Sequence, residues 1–180
     1  DRAEARRVLD GWLACVGCLG RYPVRAGFAD LRWPPGGEEG AGGVPRPGSA
    51  EESLRLAAGL GVTEGWGFVL VAGAWARLAP GLAALVAGLE VVAADPALAG
   101  WREEPGGSRI AVGPGVPFRD GVFRGVALAG GGAEEAGEAV RVLAPGGRLV
   151  LEGPAAAARV AELGLELLVA GGGAVVARKR

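Results

Sequence analysis

Phe68-Val69-Leu70-Val71 is apolar at every position. A strand with one wet face alternates apolar and polar residues, whereas an unbroken apolar run belongs to a strand covered on both faces. Further short strands are predicted at Glu90–Ala94, Arg109–Val112, Val122–Leu128 and Leu149–Leu151. Between them fall helical stretches at Ala76–Val86, Ala97–Trp101, Glu134–Leu143 and Pro154–Leu163. Pro80 sits in the first turn of one, where proline is tolerated, and Pro145-Gly146-Gly147 stops another. Upstream, Ser49 and Glu52 form a capping box ahead of Leu54, Leu56, Leu60 and Val62. The end, Leu165–Val169 and Ala174–Ala177 about Gly171-Gly172-Gly173, reads as a hairpin. Strands separated by helices predict a doubly wound α/β fold. Its mostly parallel seven-stranded sheet closes on an antiparallel strand.

The stretch from Pro34 to Gly48, PPGGEEGAGGVPRPG, holds 10 Gly or Pro in 15 residues and cannot continue a regular element. It reads as a linker (34–48) between a small β-rich N-terminal remnant (1–33) and the body (49–180). Phe68 to Leu89 is apolar apart from Arg77, but an arginine at mid-membrane costs about 2.5–3.5 kcal/mol, so a membrane span is rejected. A net charge of −1 gives no basic footprint for nucleic acid, and Arg178-Lys179-Arg180 is expected to be a solvated end. With no His, a Ser-His-Asp triad and a His-ligated metal are excluded. Two cysteines make no disulfide framework, so a reducing, cytoplasmic setting is expected. No secretory signal is visible. The chain opens on Asp1 rather than an initiator Met, which suggests an upstream segment removed or left out.

The body also carries FVLVAGAWARLAPGLAAL (68–85), EVVAADPA (90–97), VPFRDGVFRGVAL (116–128) and AVRVLAPGGRLVLEGP (139–154). In these pieces residues 50–179 resemble a class I S-adenosylmethionine-dependent methyltransferase domain. The most specific match is Arg141-Val142-Leu143 with Pro145-Gly146-Gly147. In the N-terminal piece, Leu13 to Arg32 is similar to the second half of the zinc-ribbon domain found with such methyltransferases. Cys15, Cys18, Tyr22, Pro23, Val24, Gly27 and Leu31 occupy that pattern. Leu19 stands where it has Gly, Ala26 where it has Asp, and Phe28-Ala29 where it has Ile-Pro.

The resemblance implies S-adenosylmethionine as cofactor, held by a D-x-G-x-G-x-G loop and a ribose-binding acid. Here Leu70 takes the place of the loop acid, and Ala72, Ala74 and Ala76 take the three glycines. Gly73 survives at a variable position. Asp95 matches the ribose acid, although Asp before Pro96 also ends a strand and opens a turn. Gly113 replaces the adenine-contacting acid, and Arg124 the Asp before the fourth strand. Trp75 reads as core or as a plug in vacated cofactor space. Gly73 and Asp95 are therefore the candidate cofactor-binding residues of a degenerate pocket.

Two functions follow from the resemblance: a non-catalytic methyltransferase-fold scaffold working in a complex, or an active methyltransferase with an unorthodox loop. Cys15 and Cys18 read as half a zinc site completed from outside this chain, or as a vestigial turn with free thiols. A redox dithiol is disfavoured because the pair leads into a turn and strand rather than capping a helix. Trp33, Trp66 and Trp101 are candidates for an interaction surface. Tyr22–Leu31 is expected to dock on the body or across a dimer, and Trp33 either anchors a partner or closes the domain's own core. The expected partner is another protein or a second copy.

Overall fold

The structure, a computed structural model, describes residues 2–4, 7–36, 45–102, 107–130 and 132–180. Strands β1 (Arg2–Glu4), β2 (Arg7–Ala14), β3 (Arg21–Arg25) and β4 (Phe28–Asp30) precede helix α1 (Ala50–Leu60). Then come β5 (Gly67–Ala72), α2 (Ala79–Leu85), β6 (Leu89–Ala94), β7 (Gly107–Ala111) and β8 (Phe123–Ala129). The chain ends with α3 (Ala133–Val142), β9 (Leu143–Glu152), α4 (Ala156–Glu162), β10 (Glu166–Gly171) and β11 (Ala174–Arg178).

The body strands lie in the order β7-β6-β5-β8-β9-β11-β10. All neighbours are parallel except β11, which runs antiparallel to β9 and β10. The seven expected strands are thus present, and Gly172 and Gly173 turn the closing hairpin at positive φ. The N-terminal piece continues the same sheet. β4 pairs parallel with β7, Ala29 against Ile110, and β3, β2 and β1 add antiparallel strands. The sheet therefore has 11 strands.

Alternation along β5 explains the two covered faces. Val69 and Val71 point into a core with Leu56, Leu60, Leu82 and Val91, beneath α1 and α2. Leu70 points into the opposite core with Val126, Leu149, Leu151 and Val160, beneath α3 and α4. Val69 and Val71 have no solvent exposure, and each such buried side chain contributes roughly 1.5–3 kcal/mol. Helix α1 starts at the predicted capping box, with Glu52 N–H donating to Ser49 Oγ at 3.1 Å and Ser49 N–H to Glu52 Oε2 at 2.8 Å.

Three segments differ from the sequence expectation. The predicted helix at 76–86 is divided into a 3-10 turn, Gly73–Leu78, and α2, with Pro80 in the first turn of α2. The stretch after β6 is a 3-10 turn, Pro96–Gly100. β9 begins at Leu143 and runs through Pro145-Gly146-Gly147, because Gly146 N–H donates to Lys179 O and Lys179 N–H to Gly147 O. Nor is Lys179 a merely solvated end. Its ammonium donates to Val140 O and Leu143 O, both at 2.7 Å, closing the C-terminus of α3. No described helix is long and apolar enough to cross a membrane.

Candidate functional site

The C-terminal end of β5 is where the cofactor loop would lie. Gly73 has φ +61°, and a Cβ there would stand 2.6 Å from Ala129 O at the end of β8. The chain turns so tightly against its neighbouring strand that only glycine fits. From there it enters the 3-10 turn, where Ala76 is buried in the α1/α2 core and Trp75 packs on the same core, partly exposed. Trp75 is therefore a core residue and does not line the cavity described below. Arg77 leaves this turn to pair with Glu52 of α1, and its guanidinium holds the Glu52 carboxyl at about 2.

Asp95 ends β6. Its backbone N–H donates to Ile110 O at 3.0 Å, and its Oδ1 accepts from Ala97 N–H at 2.8 Å. One carboxylate oxygen thus caps the turn that follows, the role expected of an acid before proline. Arg124 lies at the far, N-terminal end of the strands, donating to Glu64 O and Trp66 O. It takes no part in this region.

A cavity of about 350 Å³ opens between these strand ends, the loop at 112–116 and α3. Leu70, Ala72, Ala94 and Leu128 form an apolar floor, with Gly113 on the loop side and Glu134, Glu135 and Glu138 along the helix. Two of the three glutamates are committed to structure. Glu135 accepts from Gly132 N–H at 2.7 Å. Glu138 accepts from Val116 N–H at 3.0 Å and pairs with Arg141 at 2.8 Å. That guanidinium also donates to Val116 O and Phe118 O and holds the Glu138 carboxyl below its usual range. Arg141 of the R-V-L-x-P-G-G stretch is thus the clamp that holds the 116–120 loop to α3.

S-adenosylmethionine presents a charged amino-acid end, a ribose diol and an adenine. At the corresponding places stand an apolar Leu70, an aspartate already capping a turn, and a glycine without a side chain. The residues present do not fit the cofactor as its usual loop holds it.

The N-terminal strands carry a second site. Cys15 and Cys18 sit on a tight turn between β2 and β3, closed by Leu19 N–H to Cys15 O at 2.9 Å and Cys15 N–H to Gly20 O at 3.0 Å. Gly20 N–H and the Tyr22 hydroxyl each lie 3.4 Å from Cys18 Sγ. With Cys15 they hold the Cys18 thiol below its ordinary value, the Tyr22 contact first. Leu19 has φ +58° and Ala26 φ +46°, so the two positions where the zinc-ribbon pattern has Gly and Asp keep a left-handed backbone. Both thiols are exposed. Structural zinc takes four ligands. No group of three candidate ligands exists among the described residues, so these do not close a zinc site by themselves.

Sequence reasoning gave Arg109 no role, yet it joins the two sites' scaffolds. Buried in β7, its guanidinium donates to Leu98 O, Trp101 O and Ala26 O, and Arg7 of β2 reaches Gly107 O. A cation beginning an otherwise apolar strand was the available signal. Of the three tryptophans singled out, Trp101 is held in cis, its indole N–H donating to Pro45 O at 2.8 Å. Trp33 and Trp66 remain exposed, at 71% and 86%. Trp33 packs edge-on to Tyr22 at 6.2 Å and closes no core.

No family model matches the sequence, and no curated protein matches it. Solved structures do. An S-adenosylmethionine-dependent methyltransferase from Aquifex aeolicus superposes with TM-score 0.55 at 16% identity, over 74% of this chain and 100% of its own. The tRNA (m1A58) methyltransferase TrmI of the same organism gives 0.54 at 15% identity, over 78% and 73%. A candidate methyltransferase from Methanococcus maripaludis gives 0.56 at 14% identity, over 73% and 84%. The strand order, the antiparallel penultimate strand and these likenesses together establish that the chain has the class I methyltransferase fold.

Proposed function

We propose that this chain is a non-catalytic member of the methyltransferase fold that works as the partner or scaffold of another protein. The observation that carries the reading is Leu70, 3% exposed in the apolar core at the place of the loop acid, where it supplies no charge for an ammonium group. Fold does not bring function with it; Leu70 and Gly113 replace two of the polar groups that would position a sulfonium donor, and one oxygen of Asp95 caps a turn. Exposed Trp12, Trp33 and Trp66 supply the aromatic surface that protein interfaces favour.

One observation favours a second reading, an active S-adenosylmethionine-dependent methyltransferase with an unorthodox loop. The cavity of about 350 Å³ lies at the C-terminal strand ends, where α/β folds bind ligands. The carboxylate of Glu134, on its wall, has no hydrogen-bond partner among the described residues. Thermal unfolding with S-adenosylmethionine and with S-adenosylhomocysteine separates the two. A ligand at about 100 times its Kd stabilises by roughly 2.7 kcal/mol, or roughly 5–11 °C in a domain of this size. The scaffold reading expects no shift at millimolar cofactor. A saturable shift removed by Asp95→Ala overturns it in favour of the second.

A further inference from the structure

The register of the N-terminal strands collects a particular set of side chains on one face. Directly opposed residues of antiparallel strands lie on the same side of a sheet, and so do residues two apart along a strand. Trp12 opposes Pro23 and Arg25 opposes Phe28, so Trp12, Pro23, Arg25, Phe28 and Asp30 share a face. It is the α1/α2 face, because Phe28 belongs to that core while Val24 and Ala29 point into the opposite one. There the 3-10 turn Pro96–Gly100 packs on β7 and β4, and a groove of about 430 Å³ opens beyond it. Pro96 and Ala99 line one side and Trp12 and Pro23 the other, with Pro35 and Gly36 completing it. That volume lies in the range of small-molecule sites.

The charges of the groove are unevenly matched. Arg32 Nε and Nη2 each donate to Asp30 at 2.8 Å, and the Gly36 amide donates to the same carboxylate at 2.8 Å. Those two charges satisfy one another. Arg25 is exposed on the lining, and its guanidinium has no hydrogen-bond or ion-pair partner among the described residues. One unmatched cation thus stands beside the indole of Trp12, 59% exposed, and the flat rings of Pro23, Pro35 and Pro96.

We propose that this groove binds a small aromatic molecule carrying one carboxylate, its ring against Trp12 and the prolines and its carboxylate on the Arg25 guanidinium. Aromatic rings pack well on such walls, and a guanidinium matches a carboxylate with two parallel hydrogen bonds. A single unmatched cation selects a single negative charge. A phosphate dianion would bring a second charge with nothing to meet it, because Arg32 is already held by Asp30. The inference stands apart from the cofactor reading, since the groove shares no residue with the cavity beside β5.

The test is calorimetric titration of the 180-residue chain with naphthoate, with its neutral analogue naphthalenemethanol and with adenosine monophosphate. Naphthoate is expected to occupy one saturable site, at least tenfold more tightly than the alcohol or the nucleotide. Arg25→Gln breaks no hydrogen bond of the described fold, so its thermal midpoint should match that of the wild type. It is expected to weaken naphthoate at least tenfold and to leave the alcohol unaffected. Ala99→Phe, which fills the groove from the turn, should abolish naphthoate binding. Should that variant fold poorly by circular dichroism, Trp12→Ala supplies the check, and it is expected to weaken acid and alcohol alike. Absence of saturable naphthoate binding overturns the proposal. So does binding that survives Arg25→Gln, which would place the ligand in another cavity. Nucleotide binding as tight as that of naphthoate and lost in Arg25→Gln also overturns it, reassigning the groove to phosphate.

Discussion

Gly73 illustrates how a residue chosen for chemistry can be required for geometry. Its φ of +61° and the 2.6 Å that would separate an added Cβ from Ala129 O act together. Gly73→Ala is expected to cost about 2–4 kcal/mol, since left-handed backbone and overpacking add. Urea unfolding measures this, and a loss below about 1 kcal/mol would show that the turn is free to shift. Lys179, the chain's single lysine, acts at the same scale. Its ammonium serves two carbonyls at the end of α3, where the helix dipole favours a cation. Lys179→Met is expected to lower stability by about 1–2 kcal/mol and to speed amide exchange first in the last turn of α3. Uniform exchange along α3 would count against the cap.

At the scale of elements, the strands of the body were legible, and the four N-terminal strands and the joining segments less so. Val69-Leu70-Val71 and Val91-Val92 announce their burial by composition alone. Ala74, Ala76 and Arg77 are good helix formers, and nothing local says that they form a 3-10 turn. What decides is the pinned Gly73 at one end and the Arg77 clamp on Glu52, twenty-five residues away, at the other. β9 extends back to Leu143 for a similar reason, because its extra residues pair with Lys179 near the end of the chain. Asp95 was legible as a strand terminus, whereas the cavity wall was not, since Arg141 fixes it through carbonyls in a distant loop. The end of β4 adds a pH-dependent contribution. Arg32 is hydrogen-bonded to Asp30 and, with the Gly36 and Arg32 amides, brings its carboxyl down from 3.8 to about 2. A folded pKa below the unfolded one gives stability that is complete above the unfolded value and is lost as pH falls through the folded one. Acid titration of unfolding is therefore expected to show a loss between about pH 4 and pH 2 that Asp30→Asn removes. An unchanged acid limb in that variant would exclude Asp30 as its source.

Across the whole molecule, the N-terminal strands and the body share one sheet, so they are expected to unfold together. Arg109 fastens the join by donating to carbonyls on both sides of it. Calorimetry should show a single transition for the wild type. Arg109→Leu strands those carbonyls and is expected to cost about 3 kcal/mol, with β4 exchanging ahead of β5. Two resolved wild-type transitions would mean that the strands merely lean on the body. The join also sets an order in time. Ala29 waits for Ile110, eighty-one residues later in the chain. At ordinary rates of protein synthesis that is a delay of roughly 4–16 s, during which β4 has left the ribosome and its partner strand has not been made. Throughout it the growing chain shows an unpaired strand edge and two thiols to whatever else the cell contains, so a chaperone or a premature oxidant can meet this segment before its sheet is complete.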